Sequence, residues 1–150
     1  MVPTDKQHHQ AMNPISSPSL EDLHRAACLA RMNAYAPYSN FQVGAAVVFR
    51  GSDRIHAGCN VENASYSGTM CAERVAIFSA VAAEGAGVID RLVLVTAAPS
   101  SPCGLCLQVI SEFADAETRI SCGDAETIGD ALPLSEYLPR PFNASELTKT

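Results

Sequence analysis

Apolar residues recur at intervals of three and four positions near the start of the chain, after a polar segment. The apolar positions of this stretch are Leu20, Leu23, Ala27, Ala30 and Ala34. This spacing places them on one face of an α-helix. Ser19 is suited to cap that helix, and Glu21 and Asp22 fall in its first turn, where the helix dipole favours acidic side chains. The pattern therefore predicts an amphipathic helix that begins after Ser19 and runs to about Ala34.

Short apolar runs bounded by turn residues predict strands further along the chain. Two of them, 43–50 and 54–60, are separated by a turn at 51–53, which indicates an antiparallel hairpin. The run 92–98 is almost continuously apolar, as expected for a strand that is covered on both faces. A fourth strand is predicted at 119–122.

Helical patterns alternate with the later strands. An alanine-rich apolar helix is predicted from Cys71 to about Glu84, with Gly85 as its end signal. A second helix is predicted at about 104–113 and a short one at 133–137. The element order α-β-β-α-β-α-β favours an α/β fold, in which a central mixed sheet carries helices on both faces and the later strands are parallel.

The composition is that of a single folded domain. The chain has 150 residues, of which 47% are apolar, so it can bury a substantial core. Residues 1–18 are polar and contain three prolines, and we expect a flexible N-terminal arm followed by one domain at 19–150. The apolar runs are too short to cross a bilayer, and no signal-peptide pattern follows Met1. We therefore expect a cytoplasmic protein without a membrane partner.

The charge pattern argues against nucleic acid as a partner. The net charge is −6, and the arginines are scattered along the sequence instead of forming a basic stripe. Proteins that bind a phosphate backbone usually cluster such cations. A small neutral substrate suits this chain better.

The six cysteines fall into two groups. Cys28, Cys59 and Cys122 each stand alone among apolar or small residues and are expected to be buried, inert thiols. The other three lie in CAER at 71–74 and in SPCGLC at 101–106. Both stretches fall at predicted strand-to-helix junctions, where sites gather in open α/β sheets.

The clustered cysteines Cys71, Cys103 and Cys106 predict a zinc site. Cys103 and Cys106 can share one face of a helical turn, and helix N-termini lower the pKa of nearby thiols. Thiolates are ligands that zinc prefers. Three protein ligands leave the fourth position to water, which is the pattern of a catalytic zinc site and not of a structural one.

Glu73 and Arg74 extend this cluster. In the first helical turn Glu73 can reach the space beside the ion and act as a proton carrier without being a ligand. Arg74 is the candidate to offset the negative charge of zinc with three thiolates. Taken singly, each feature has an ordinary explanation. C-x-x-C is also typical of a redox pair or of half of a structural zinc site, and Glu73 could be an ordinary acidic residue in the first turn of a helix. In combination, C-x-E upstream of P-C-x-x-C matches the zinc nucleobase deaminases.

Four stretches carry a closer resemblance: PYSNFQVGAAV (37–47), GCNVENASY (58–66), CAERVAIFSAV (71–81) and SPCGLCLQVISEF (101–113). They resemble the cytidine deaminase family, specifically its small homotetrameric branch with three zinc-binding cysteines; LPRPF at 138–142 is a weaker match. The resemblance implies a three-layer α/β/α cytidine-deaminase-like fold with a mixed central sheet of about five strands. It also implies a homotetramer.

The resemblance assigns roles to individual residues. It implies one zinc ion per subunit, held by Cys71, Cys103 and Cys106, with Glu73 shuttling protons. Substrate contacts are implied at Phe41, Asn60, Glu62, Ala72, Ser101 and Phe142.

The resemblance also implies which part of the nucleoside each of these residues contacts. Phe41 is expected to pack on the pyrimidine ring, and Asn60 and Glu62 to hold the ribose 3′-hydroxyl. The backbone of Ala72 and Ser101 is expected at the base edge and its amino group. Phe142 is expected to reach a neighbouring subunit's site, with two tyrosines near subunit contacts, Tyr38 and Tyr66.

The implied reaction is hydrolysis of cytidine or 2′-deoxycytidine to the corresponding uridine and ammonia, in pyrimidine salvage. Two departures from the usual pattern are Leu107, where the family has arginine, and the loop 66–69. Leu107 keeps open a deaminase of a modified cytosine nucleoside, such as blasticidin S or N4-substituted cytidine. A non-catalytic, zinc-stabilised binding module is a further alternative; it requires a fourth protein ligand, for which His56 is the nearest spare histidine. Polynucleotide editing is disfavoured by the acidic charge.

Overall fold

The computed structural model describes residues 17–147, which form a five-stranded mixed sheet between two helical layers. The strands are β1 (Gly44–Phe49), β2 (His56–Cys59), β3 (Ile89–Val95), β4 (Arg119–Gly123) and β5 (Leu132–Pro133). The helices are α1 (Leu20–Met32), α2 (Ala72–Glu84), α3 (Gly104–Glu112) and α4 (Leu134–Tyr137), with 3-10 turns at Tyr66–Gly68 and Ala144–Glu146. Most of the predicted N-terminal arm, residues 1–16, lies outside the described part of the chain.

The strand order in the sheet is β2-β1-β3-β4-β5. The predicted hairpin of β1 and β2 is antiparallel, and β3 and β4 are parallel, so both predictions are confirmed. β1 also pairs with β3, and β5 with β4, in antiparallel register. The pattern analysis did not locate β5, because a two-residue strand has no measurable periodicity.

The boundaries of β3 were predicted three residues too late. Ile89 pairs with Phe49 at the start of the strand, although polar residues follow it. At the other end, the Thr96 N–H still bonds the carbonyl of Gly123 at 3.1 Å, and the Thr96 hydroxyl donates to the carbonyl of Ala98 at 2.6 Å, a local bond where the chain leaves the sheet. Strand limits therefore follow backbone hydrogen bonds, which hydrophobicity alone does not reveal.

The three-layer arrangement is confirmed by the two separate cores of the sheet. On one face α1 packs Leu23 and Ala27 against β1 and β3. On the other face α2 and α3 pack Ile77 and Ile110 against the same strands. All six residues of β1 are buried, because helices cover it on both sides.

Two glycines allow the helices to approach the sheet closely. A Cβ on Gly44 would lie 2.0 Å from the carbonyl oxygen of Ala27 in α1. A Cβ on Gly58 would lie 2.6 Å from the backbone nitrogen of Ala76 in α2. No other residue fits at such distances, so these two glycines let α1 and α2 lie directly against the strands.

α1 begins where the sequence predicted. Ser19 and Asp22 form a reciprocal capping box, in which each side chain bonds the other residue's backbone N–H. The helix ends two residues before the predicted Ala34, at Met32, and the backbone N–H of Asn33 bonds the last carbonyls. Within residues 17–147, no helix has both the length and the apolar character that a bilayer crossing requires.

Candidate active site

The N-termini of α2 and α3 lie side by side. Cys71 is the N-cap of α2 and Cys103 is the N-cap of α3, both with extended backbone. Their carbonyls accept the first helical hydrogen bonds, from Val75 at 3.1 Å and Leu107 at 2.9 Å. Neither sulfur caps its own helix, so both remain available to a shared ligand.

Three sulfurs converge at this point. The Sγ atoms of Cys71, Cys103 and Cys106 all lie within 4.8 Å of one another, and those of Cys71 and Cys103 are 4.0 Å apart. A tetrahedral zinc ion with Zn–S bonds of about 2.3 Å separates its sulfurs by about 3.8 Å. No cysteine of the described residues is in a disulfide. The ligand set therefore fits zinc in both chemistry and spacing.

Hydrogen bonding between Cys71 and Cys106 shifts the pKa values of the two thiols in opposite directions. A hydrogen bond from Cys106 lowers the pKa of Cys71 to about 5, against the opposing effect of burial. The same bond, together with burial, raises the pKa of the Cys106 thiol. These opposite directions favour the negative charge of the pair on Cys71, the sulfur that Arg74 contacts.

Arg74 contacts the sulfur that carries this charge. Its Nη2 donates to the Cys71 Sγ at 3.5 Å and to the carbonyl of Thr69 at 3.3 Å. Its Nε is buried without a hydrogen-bond partner among the described residues. The guanidinium therefore lies where it can offset thiolate charge.

Glu73 is nearly completely buried, with 3% of its surface exposed. Burial raises the pKa of its carboxyl group. It lines the same cavity as Cys71 and Cys103 but lies outside the group of three cysteines that could hold a metal ion.

The cavity has a volume of about 450 Å³. Besides Glu73 and two of the cysteines, four residues predicted from the sequence line it: Phe41, Asn60, Glu62 and Ser101. Among its described lining residues there is no lysine or arginine. The walls are mainly apolar with a few polar groups, as is usual for small-molecule sites.

Other predicted residues do not line the cavity. Ala72 and Cys106 are fully buried behind it. Phe142 is 58% exposed, and its backbone is bound by Gln108, whose Nε2 donates to the Phe142 carbonyl at 2.6 Å. The Phe142 N–H donates back to the Gln108 Oε1 at 3.3 Å. A role of Phe142 in a neighbouring subunit stays a prediction.

Asn60 and Glu62 bind the loop that precedes β1. The Asn60 Oδ1 accepts from the Val43 N–H and its Nδ2 donates to the Phe41 carbonyl, both at 2.8 Å. The Glu62 carboxylate accepts from the backbone N–H of Tyr38 at 2.8 Å, and from Ser39. Each keeps part of its hydrogen-bonding capacity for a ligand.

Ser39 is a cavity residue that the sequence analysis missed. It lines the site with Phe41 and Glu62 and bonds to both. Ser39 lies in the stretch 37–47 that carries the family resemblance, but no role was predicted for it, because a serine in a loop carries no signal of its long-range partner.

Leu107 does not face the cavity. It is 7% exposed and belongs to the core between the sheet and the helices. The side chain of His56 bonds Glu84 at the far end of α2, and it is not part of the cysteine group. Cys28, Cys59 and Cys122 are only partly buried, so the prediction that they are buried was wrong. Helix and strand faces at the edge of the core leave them partly accessible.

The sequence profile described as "Cytidine and deoxycytidylate deaminase zinc-binding region" matches residues 17–122. The chain belongs to this deaminase family. The match includes all three converging cysteines and Glu73.

Individual family members agree with this assignment. The chain is 40% identical over 124 residues to cytidine deaminase of Halalkalibacterium halodurans, which covers 82% of this chain and 93% of that protein. The crystal structure of cytidine deaminase from Burkholderia pseudomallei has a TM-score of 0.76 and 38% identity, covering 83% of this chain and 100% of the other. Cytidine deaminase from Mycobacterium leprae has a TM-score of 0.67 and 36% identity, covering 80% and 97%.

Proposed function

We propose that this family member is a zinc-dependent hydrolase that converts cytidine and 2′-deoxycytidine to the corresponding uridines in pyrimidine salvage. The observation that carries the proposal is one cavity with three converging thiols, a buried carboxyl group and an exposed aromatic ring. Curated relatives that cover most of the chain are named cytidine deaminase.

Cys71, Cys103 and Cys106 would hold the metal. When bound, zinc supplies the Lewis acidity that lowers the pKa of a water molecule toward neutrality. Glu73 carries one proton of the attacking water to N3 of the base, and then carries the second proton, from the new hydroxyl at C4, to the leaving amino group. One water is consumed and one ammonia is released for each uridine formed.

Other residues hold the substrate. Phe41, 46% exposed at the cavity, packs against the pyrimidine ring. The backbone of Ala72 and Ser101 recognises the base edge and amino group. Asn60 and Glu62 hold the 3′-hydroxyl, a contact that does not require a 2′-hydroxyl, so both sugars are accepted.

A nucleoside is favoured over a nucleotide or a polynucleotide. Glu62 and Glu73 both line the cavity, and its described lining has no cation to offset a phosphate. Bringing a phosphate close to these carboxylates is unfavourable in a partly desolvated site.

We also propose a homotetramer with one zinc ion per subunit and a single domain at 19–150 that follows an N-terminal arm at 1–18. Large apolar side chains on the surface support association, among them Tyr66 at 76% exposure and Phe142. Phe142 would complete a neighbour's site. A cytoplasmic location is supported by the need of three metal-ligating thiols to stay reduced.

The alternatives are less well supported. Leu107, the motive for a modified cytosine nucleoside, lies in the core and away from the cavity. A closed structural zinc site requires a fourth ligand, and the cluster among residues 17–147 has three.

The test is a substrate panel, followed by ultraviolet absorbance on protein whose zinc content is measured in parallel. It compares cytidine, 2′-deoxycytidine, cytosine, CMP and blasticidin S. We expect turnover of the two nucleosides and at least tenfold lower kcat/KM for CMP, since like charges face its phosphate. Zinc-loaded protein that turns over neither nucleoside contradicts the proposal.

A further inference from the structure

The hydroxyl of Ser39 joins two walls of the cavity. It donates a hydrogen bond to the Glu62 Oε1 and accepts one from the backbone N–H of Phe41 at 3.0 Å. A serine hydroxyl has one donor and two acceptor sites, so its donor is fully used here. Glu62 also accepts from the Ser39 backbone N–H at 3.2 Å.

The residue between Ser39 and Phe41 has an unusual backbone. Asn40 has φ of 56° and is the non-glycine residue with positive φ in the described part of the chain. Its N–H bonds the carbonyl of Ala36 at 3.0 Å. Left-handed residues persist where surrounding contacts hold them, and they concentrate at ligand-binding sites. The Ser39 hydroxyl bridges this residue and is one of those contacts.

The backbone of Phe41 is held on both sides. Ser39 accepts its N–H, and the Asn60 Nδ2 donates to its carbonyl oxygen. Asn60 and Glu62 are two residues apart, just after β2, so one short segment controls the whole loop.

We propose that Ser39 is a positioning residue, which sets the gap between the Glu62 carboxylate and the Phe41 ring by bonding both. This inference rests on the proposed function, in which the sugar and the base occupy that gap. Ser39 acts through these two residues and has no part in the chemistry at the cysteines.

Replacement of Ser39 separates binding from chemistry. Ser39→Ala removes a donor from Glu62 and leaves the Phe41 N–H unpaired, and we expect KM for cytidine to rise about tenfold or more. The value of kcat should change by less than about threefold, because the side chain of Ser39 bonds Glu62 and Phe41 and not the residues that carry the chemistry. Ser39→Thr keeps the hydroxyl and should restore KM to within about threefold of the unmodified protein.

Ser52 offers a matched control. Like Ser39, it forms two side-chain hydrogen bonds. Its hydroxyl donates to the Glu84 carboxylate at 2.7 Å and accepts from the backbone N–H of Arg54, two residues later in the chain, at 3.1 Å. Ser52 does not line the cavity. Ser52→Ala therefore removes the same pair of bonds, and it should leave KM unchanged even if the thermal midpoint falls.

A second substrate tests the path through Glu62. With 3′-deoxycytidine, which lacks the hydroxyl that Glu62 would hold, the KM penalty of Ser39→Ala should shrink at least threefold. In a Glu62→Ala background, Ser39→Ala should likewise add less than about threefold to KM. If Ser39→Ala does not fold, the same KM measurements are made on Ser39→Gly.

The outcomes separate the two proposals. Active unmodified protein with an unchanged KM in Ser39→Ala overturns the role of Ser39 alone. An equal penalty with cytidine and 3′-deoxycytidine, or a similar KM rise in Ser52→Ala, also overturns it. Zinc-loaded unmodified protein that does not deaminate cytidine overturns the proposed function, and the role of Ser39 with it.

Discussion

The two ends of helix α2 place glutamates in opposite electrostatic environments. Glu73, in the first turn, is 3% exposed, and burial raises the pKa of its carboxyl group. Glu84, at the other end, bonds the Ser52 hydroxyl and the ring of His56. These bonds, first that of Ser52 and then that of His56, lower the pKa of Glu84.

This difference separates a carboxyl group suited to chemistry from one suited to structure. Ser52 in the β1–β2 connection and His56 at the start of β2 favour the charged form of Glu84 and tie this part of the hairpin to α2. Glu73 faces a cavity and the sulfur cluster. The same residue type on the same helix therefore serves two purposes, because its neighbours in space differ. Three substitutions test the sulfur cluster beside Glu73 and the contrast between the two glutamates.

Cys103→Ala should have the largest effect. Two remaining sulfurs cannot hold zinc in a three-ligand site, so both the metal and the turnover should be lost. Metal analysis and the ultraviolet assay measure the two quantities. Cys28→Ala, which removes a thiol remote from the cavity, is the control and should retain both. Full activity in metal-free Cys103→Ala protein would end the zinc mechanism.

Glu73→Gln should abolish most turnover while zinc stays bound. The amide has nearly the same size but cannot take up a proton, and loss of such a group costs about 10²–10⁴-fold in rate. The measurement is kcat on protein with verified zinc content. Loss of zinc in this variant would show that Glu73 is a ligand.

Glu84→Ala should change stability and leave catalysis intact. A carboxyl group whose folded-state pKa is lowered stabilises the fold above its ordinary pKa near 4.5, and this contribution is lost as pH falls through the folded value. The variant should melt a few degrees lower at pH 7, and its difference from the unmodified protein should vanish in acid. A thermal melt at each pH measures this. A changed KM in Glu84→Ala, or a difference in melting temperature that is independent of pH, would contradict the contrast between the two ends of α2.

Local patterns were sufficient to predict most of the elements. The capping box of Ser19 and Asp22, the β1–β2 hairpin and the helix that begins after Cys71 all depend on residues close together in sequence. β5 was missed and β3 was displaced, because their limits depend on pairing with distant strands.

The candidate site divides in the same way. The spacing of Cys103 and Cys106, and of Cys71 and Glu73, is a local feature, and the chemistry of zinc explains why those residue types occur together. The bonds of Ser39 to Glu62 and of Gln108 to Phe142 were not predictable, since each joins residues more than 20 positions apart.

The sequence by itself determined the types of the longer elements, the three candidate metal ligands and the candidate proton carrier, because capping, periodicity and the spacing within C-x-E and C-x-x-C act over a few residues. Only the tertiary structure decided that Leu107 faces the core, that Ser39 joins Glu62 to Phe41, and that Glu73 and Glu84 differ in charge preference. Burial and long-range hydrogen bonds depend on which elements pack together. That packing is a property of the whole fold, and no short stretch of sequence encodes it.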